Sequence, residues 1–231
     1  METHTSVPRH VGYIVDGNRR WARKHGLPTY EGHLAGYNVI KDIAKTTFDA
    51  GVSYVSAYVF STENWQRSQD EVGKLMGLVL RLLSDDLPEF QRHNIRLKIL
   101  GSREGVDPKI VTAIDNAEAA TASNTAGTLA ICFNYGGHLE IAEACKKIVQ
   151  DGVPMESITP DAIAQRLYSP DIPQVDVVVR TSGEQRISNF MLWRVAYSEL
   201  LFLDKAWPDM TAEDVTHILQ EYANRHRRFG K

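Results

Sequence analysis

Three clusters in this sequence bring carboxylates, arginines, hydroxyls and glycines within a few residues of one another. The first is Asp16-Gly17-Asn18-Arg19-Arg20-Trp21. A carboxylate beside a glycine and two arginines can serve a metal ion and a phosphate together. Mg²⁺ takes one or two carboxylates plus substrate phosphate oxygens, arginine donates to those oxygens in pairs, and glycine lets the backbone approach closely. A strand-to-helix turn capped by an aspartate accounts for these residues equally well. The second cluster is Phe60-Ser61-Thr62-Glu63-Asn64-Trp65, followed by Arg67 and Glu71. Taken alone, Ser61-Thr62-Glu63 is most simply a capping box or turn, although capping does not explain Asn64 and Trp65. The third runs from Arg180 to Phe190 and holds Thr181, Ser182, Gly183, Arg186 and Ser188. Arg180 follows directly on Val177, Val178 and Val179, where an unpaired guanidinium would be costly. This composition suits an anion site. A basic tail, Arg225 to Lys231, reads by default as solvated.

The elements that must carry these clusters alternate. Short apolar runs at 11–15, 54–60, 95–100, 128–133, 175–179 and 200–203 read as strands. Helical patterns lie between them, at roughly 33–49, from 68 into the region of Phe90, after Asp107-Pro108, and from about Gly137. A last helix shows Val215, Ile218, Leu219 and Tyr222 at helical spacing. This alternation predicts an α/β fold with a largely parallel central sheet flanked by helices. Ligands of such sheets bind at the carboxyl ends of the strands. The three clusters each follow a predicted strand, so the fold rule alone predicts that they converge.

The helix beginning at Ser68 is apolar around roughly 200°, more than a helix lying on one sheet face requires. The surplus face would meet a partner subunit, line an apolar cavity, or sit deeper in the core. Asp85-Asp86-Leu87-Pro88-Glu89 reads as a helix end or turn. Cys132 and Cys145 make no CxxC pair and read as buried apolar residues in a reducing compartment. The formal net charge of -3 argues against a broad nucleic-acid surface. No signal-type or membrane-spanning apolar run is present, and no linker divides the chain, so residues 1–231 read as one cytoplasmic domain.

Taken together, His10 to Trp21, Phe60 to Glu71, Asn134-Tyr135-Gly136-Gly137 and Val175 to Pro208 resemble the cis-prenyltransferases, in order and over almost the whole chain. The resemblance implies a hydrophobic tunnel, Mg²⁺ and a homodimer working from the aqueous side, with peripheral contact to a membrane surface. It implies condensation of isopentenyl diphosphate onto an allylic diphosphate such as farnesyl diphosphate, giving a Z-polyprenyl diphosphate. By the same resemblance Asp16 and Asn64 are catalytic. Gly17, Asn18, Arg20, Trp21, His33, Ser61 and Arg67 would hold the allylic diphosphate. Arg180, Arg186, Ser188, Arg228 and Gly230 would hold isopentenyl diphosphate, and Asp16 and Glu199 would hold the metal. Val59, Leu75, Met76, Val79, Leu82 and Leu83 would wall the tunnel. Two positions depart from the family pattern. Thr29 stands where an arginine is usual, with Arg23 or Lys24 available to compensate. Val59 stands where many long-chain members have alanine, which opens the alternative of a shorter product. A non-catalytic partner subunit is a further alternative, and the presence of Asp16, Asn18, Asn64 and Glu199 counts against it.

Overall fold

The computed structural model describes residues 7–225. Six strands form one sheet: β1 (His10–Ile14), β2 (Tyr54–Ser61), β3 (Ile95–Leu100), β4 (Gly127–Tyr135), β5 (Val177–Arg180) and β6 (Glu199–Phe202), in the order β3-β4-β2-β1-β5-β6. Every neighbouring pair is parallel. The helices are α1 (Asn18–Lys24), α2 (Thr29–Asp49), α3 (Gln69–Ser84), α4 (Leu87–Arg92), α5 (Pro108–Thr121), α6 (Gly137–Gln150), α7 (Pro160–Ala164) and α8 (Ala212–Asn224).

The strands are apolar throughout because both faces are covered. All nine residues of β4 are buried. Its side chains alternate between two cores, as the period of two requires. Leu129, Ile131 and Phe133 join the larger cluster beneath α2, α3, α5 and α8. Ala130 and Cys132 join a smaller one with Val175, Phe190, Met191 and Val195. Burying one such large side chain contributes about 1.5–3 kcal/mol, so a one-residue slip of β4 would forfeit several of these contributions together.

The chain builds to one side of β1 as far as β3, then crosses to lay down β5 and β6 on the other. The crevice at such a reversal is where ligands of open parallel sheets bind. The loops that follow β1, β2 and β5 meet there, as the fold rule predicts.

Three expectations are corrected. The stretch from Ser68 to Phe90 is two helices. Ser68 caps α3 by accepting the amide of Glu71 at 3.3 Å, and the helix stops at Ser84. Pro88 has no N–H and its ring would strike the carbonyl four residues back, so a continuous helix fails there. Asp86 instead turns inward to Tyr37 and Lys41. β5 begins at Val177 rather than Val175, and the Asp176 carboxylate just before it accepts the amides of Arg9 and His10. Cys145 is exposed on α6, whereas Cys132 is buried.

Candidate active site

Asp16 is held from both sides. Its amide donates to Thr181 Oγ1 at 3.0 Å, and the Thr181 hydroxyl donates to the Asp16 carbonyl at 2.7 Å. The same carbonyl accepts the amide of Trp207 at 2.9 Å. The β1 loop is therefore tied to the residues after β5 and to the turn at Trp207–Asp209. Gly17 follows with φ of 106°, a left-handed conformation that favours glycine, and an added Cβ would lie 2.8 Å from Ser182 Oγ. On α2, Gly36 leaves the space that Asn18 occupies, since a Cβ there would fall 2.4 Å from Asn18 Oδ1.

The Asp16 carboxylate faces two guanidiniums. Arg180 Nη2 donates to Oδ2 at 2.9 Å, and Arg20 Nη2 lies 3.3 Å from the same oxygen. Arg180 is 5 % exposed and also donates to Ser188 Oγ at 2.7 Å and to the Arg186 carbonyl at 2.6 Å. Glu184 bridges the loops, accepting from Arg20 at 3.0 Å and from Arg186 at 2.5 Å. Left-handed backbone at Ser182, Gly183, Ser188, Asn189 and Met191 folds this loop tightly. Strained conformations of this kind concentrate at ligand sites.

Two hollows share Asp16, Asn64 and Arg67 as a common border. The first, about 530 Å³, opens among Arg19, Arg20, Arg23, Arg67 and His33 and runs into apolar surface from α3 and β2. That volume falls within the ~300–1,000 Å³ usual for a small-molecule pocket. At its mouth Glu71 Oε1 lies 3.1 Å from His33 Nε2 and accepts from Arg67 Nη1 at 3.0 Å. Burial raises the Glu71 carboxyl, but His33, Arg67 and Arg19 outweigh it and hold it below its ordinary pKa. Burial lowers His33 and outweighs the opposing pull of Glu71. Its imidazole is therefore neutral at pH 7. The second hollow gathers Ser61, Glu63, His138, Arg180, Arg186, Ser188 and Asn189.

Two buried polar atoms among the described residues have no partner, Asn18 Oδ1 and Arg180 Nε. Buried polar groups are ordinarily paired, so both atoms fit a site completed by a ligand. Among the described residues no three His, Cys, Asp or Glu side chains gather as metal ligands. Asp16, set among basic residues, fits instead a divalent-cation site finished by substrate phosphate oxygens and water.

The structure brings together Asp16, Gly17, Asn18, Arg20, His33, Asn64 and Arg67 around the first hollow, and Arg180, Arg186 and Ser188 around the second. Ser61 lines the second hollow rather than the first. It closes a capping box in which Asn64 Oδ1 accepts the Ser61 amide at 3.2 Å, so the simple capping account of this turn holds as well. Trp21 lines neither hollow; its indole N–H donates to Asp209 at 2.6 Å. Glu199 opens β6, level with Val177 and at the opposite end of the strands from Asp16. Its carboxylate accepts from Arg225 at 3.0 Å, so within one chain it does not share a metal with Asp16. Arg228 and Gly230 lie outside the described residues. The apolar wall includes Val59, Leu75, Leu78, Val79, Leu82 and Leu83, with Ile40, Ile99, Ile131 and Phe133. Met76, one position or about 100° round the helix from Leu75, packs on the core instead. Thr29 and Arg23 both line the mouth, and Lys24 does not. Glu63, Asn189 and His138, to which the sequence reading assigned no role, also line the second hollow. Their only signal was a place at a strand's carboxyl end.

The family model described as "Putative undecaprenyl diphosphate synthase" matches residues 14–230. The chain belongs to this prenyltransferase family. It is 42% identical to an isoprenyl transferase of Agrobacterium fabrum, covering 99% of this chain and 94% of that one. It is 44% identical to an isoprenyl transferase of Neisseria meningitidis serogroup B, covering 99% and 91%. Among solved structures, lavandulyl diphosphate synthase from Lavandula x intermedia, in complex with dimethylallyl diphosphate, superposes with a TM-score of 0.93 at 31% identity, covering 97% of this chain and 99% of that one. Prenyltransferase chemistry thus accounts for a basic mouth joined to an apolar pocket. Among the described residues, no helix is long and apolar enough to cross a membrane.

Proposed function

We propose that the chain is a Mg²⁺-dependent cis-prenyltransferase that condenses isopentenyl diphosphate onto an allylic diphosphate, with farnesyl diphosphate as the primer, to give a Z-polyprenyl diphosphate such as undecaprenyl diphosphate. In this reading the product serves as a lipid carrier for cell-wall synthesis. The observation that carries the proposal is the shared border of Asp16, Asn64 and Arg67 between a basic-mouthed apolar pocket and a second basic hollow. Two diphosphates bound on either side of that border would bring their reacting carbons together.

In the reaction the allylic carbon–oxygen bond breaks and the diphosphate leaves with the electron pair. The double bond of isopentenyl diphosphate then closes on that carbon and a proton is released. Negative charge grows on the leaving diphosphate, where preorganised cations lower the barrier. Arg19, Arg20, Arg23 and Arg67 would hold that group. Arg180, Arg186 and Ser188 would hold the second diphosphate. Asp16, with phosphate oxygens, would hold Mg²⁺, which supplies Lewis-acid stabilisation of the leaving group. The apolar pocket would keep water from the tail. A homodimer and contact with a membrane surface belong to the same reading.

A second reading, a short-chain product, is favoured by Val59. It lines the pocket with a bulkier side chain than alanine, and the lavandulyl diphosphate synthase likeness points the same way. Replacing Asp16 by alanine tests the catalytic assignment. Turnover falls by about a hundredfold or more on this account, and turnover equal to wild type would remove Asp16 from the chemistry.

A further inference from the structure

The first hollow is bracketed by two polar contacts between α2 and the α3–α4 segment. At the mouth, His33 meets Glu71 at 3.1 Å. One turn further along α2, Tyr37 donates its hydroxyl to the Asp86 carboxylate, and Lys41 donates to Asp86 at 3.1 Å and to Glu89 at 3.0 Å. Glu71 lies roughly 20 Å from the end of α3 at Ser84, at 1.5 Å per residue, and Asp86 follows two residues later. The apolar lining of α3, from Leu75 to Leu83, falls between them.

Tyr37 has two sides. Its ring lines the hollow, whereas Lys41, Arg81, Asp86 and Glu89 behind it do not. The ring is 6 % exposed and fixed in place. Its hydroxyl is bound by Asp86, and the cations of Arg81 and Lys41 stand 5.3 and 5.9 Å from its centroid. Burial, then the Asp86 carboxylate, raises the hydroxyl pKa, so it remains a donor at neutral pH. An apolar chain pushed past this ring would meet charged groups and strip their water, which is costly.

Resting on the function proposed above, we infer that Tyr37 is the stop that sets product length. Asp86 and Lys41 are positioning residues that hold it across the gap between α2 and α3. One methylene accommodated or refused by an apolar pocket changes discrimination by about 10–200-fold. A fixed ring can therefore decide between release and one more five-carbon addition.

The test compares wild type with Tyr37→Leu, Tyr37→Phe and Asp86→Asn. Each is incubated with Mg²⁺, labelled isopentenyl diphosphate and dimethylallyl, geranyl or farnesyl diphosphate, and products are resolved by length. Tyr37→Leu is expected to shift the distribution upward by at least one five-carbon unit, through a rise of about tenfold or more in further addition relative to release. The kcat/KM of the first addition is expected to stay close to wild type. Asp86→Asn shifts length in the same direction by less, and Tyr37→Phe, which keeps the ring, lies nearest to wild type. A merely structural role would lower yield and melting temperature together without changing length. If Tyr37→Leu does not fold, Asp86→Asn, which preserves size, decides alone. Unchanged length in the variants that retain first-addition activity overturns the inference while leaving the function intact. A wild type inactive with every primer overturns the underlying reading, and the stop with it.

Discussion

Two buried arginines on neighbouring stretches of chain are built differently. Arg194 is saturated. It donates to Glu140 at 2.7 Å, to the Ile172 carbonyl at 3.3 Å and to the Tyr168 carbonyl at 2.6 Å. Its partner Glu140, 1 % exposed, also accepts from Tyr135 at 2.5 Å and from the amide of Tyr168 at 3.1 Å. Arg180 is nearly as buried, yet its Nε has no partner and its counter-ion Asp16 keeps 29% of its side-chain surface open. Arg194 completes a closed internal network, whereas Arg180 ends at a hollow. Burial alone does not distinguish a structural arginine from a ligand-facing one. The unfilled donor and the open counter-ion do.

Breaking that comparison gives the largest expected effect. Arg194→Ala leaves Glu140 buried without a counter-charge and is expected to cost about 3–5 kcal/mol of stability in urea unfolding, since half of a buried pair is then uncompensated. The activity of the protein that remains folded is unchanged. Arg180→Ala is expected to cost less stability, because water reaches Asp16, and to raise KM for isopentenyl diphosphate sharply. Equal destabilisation with unchanged KM would erase the distinction. Next in size is Gly36→Ala. The new methyl group would overlap Asn18, and overpacking of this kind costs about 1–3 kcal/mol. Lower thermal stability together with weaker binding of inorganic diphosphate is expected, and stability lost with binding unaltered would detach Asn18 from the site.

The last effect is smallest near neutral pH and grows as pH falls. His10, at the amino end of β1, is pushed by burial to a pKa of about 4 against the opposing pull of the Pro173 carbonyl. Between pH 6.5 and about 4 the unfolded chain binds a proton there that the folded chain refuses. Its stabilising contribution is complete above pH 6.5 and declines by about 1.4 kcal/mol per pH unit as pH falls through that window. His33 acts in the same direction. His10→Asn should flatten the decline, and an identical pH profile would contradict the assignment.

The sheet was legible because parallel strands covered on both faces leave short apolar runs bounded by turns. The convergence of Asp16, Asn64 and Arg180 was legible for the same reason: each stands at a strand's carboxyl end. The place of Glu199 within the chain was not legible, because proximity in a motif says nothing about which end of a strand a residue occupies. Trp21 and Met76 line neither hollow because each side chain leaves its segment on another face. The Tyr37–Asp86 contact was illegible, since it joins residues 49 positions apart and depends on how Pro88 ends the preceding helix.

Product analysis tests the central claim most directly. The purified chain is incubated with Mg²⁺, labelled isopentenyl diphosphate and farnesyl diphosphate, and the dephosphorylated products are separated by length. The account predicts labelled polyprenols with Z double bonds, abolished in the Asp16→Ala variant. No labelled product with farnesyl, geranyl or dimethylallyl diphosphate, from protein shown to be folded, would contradict it.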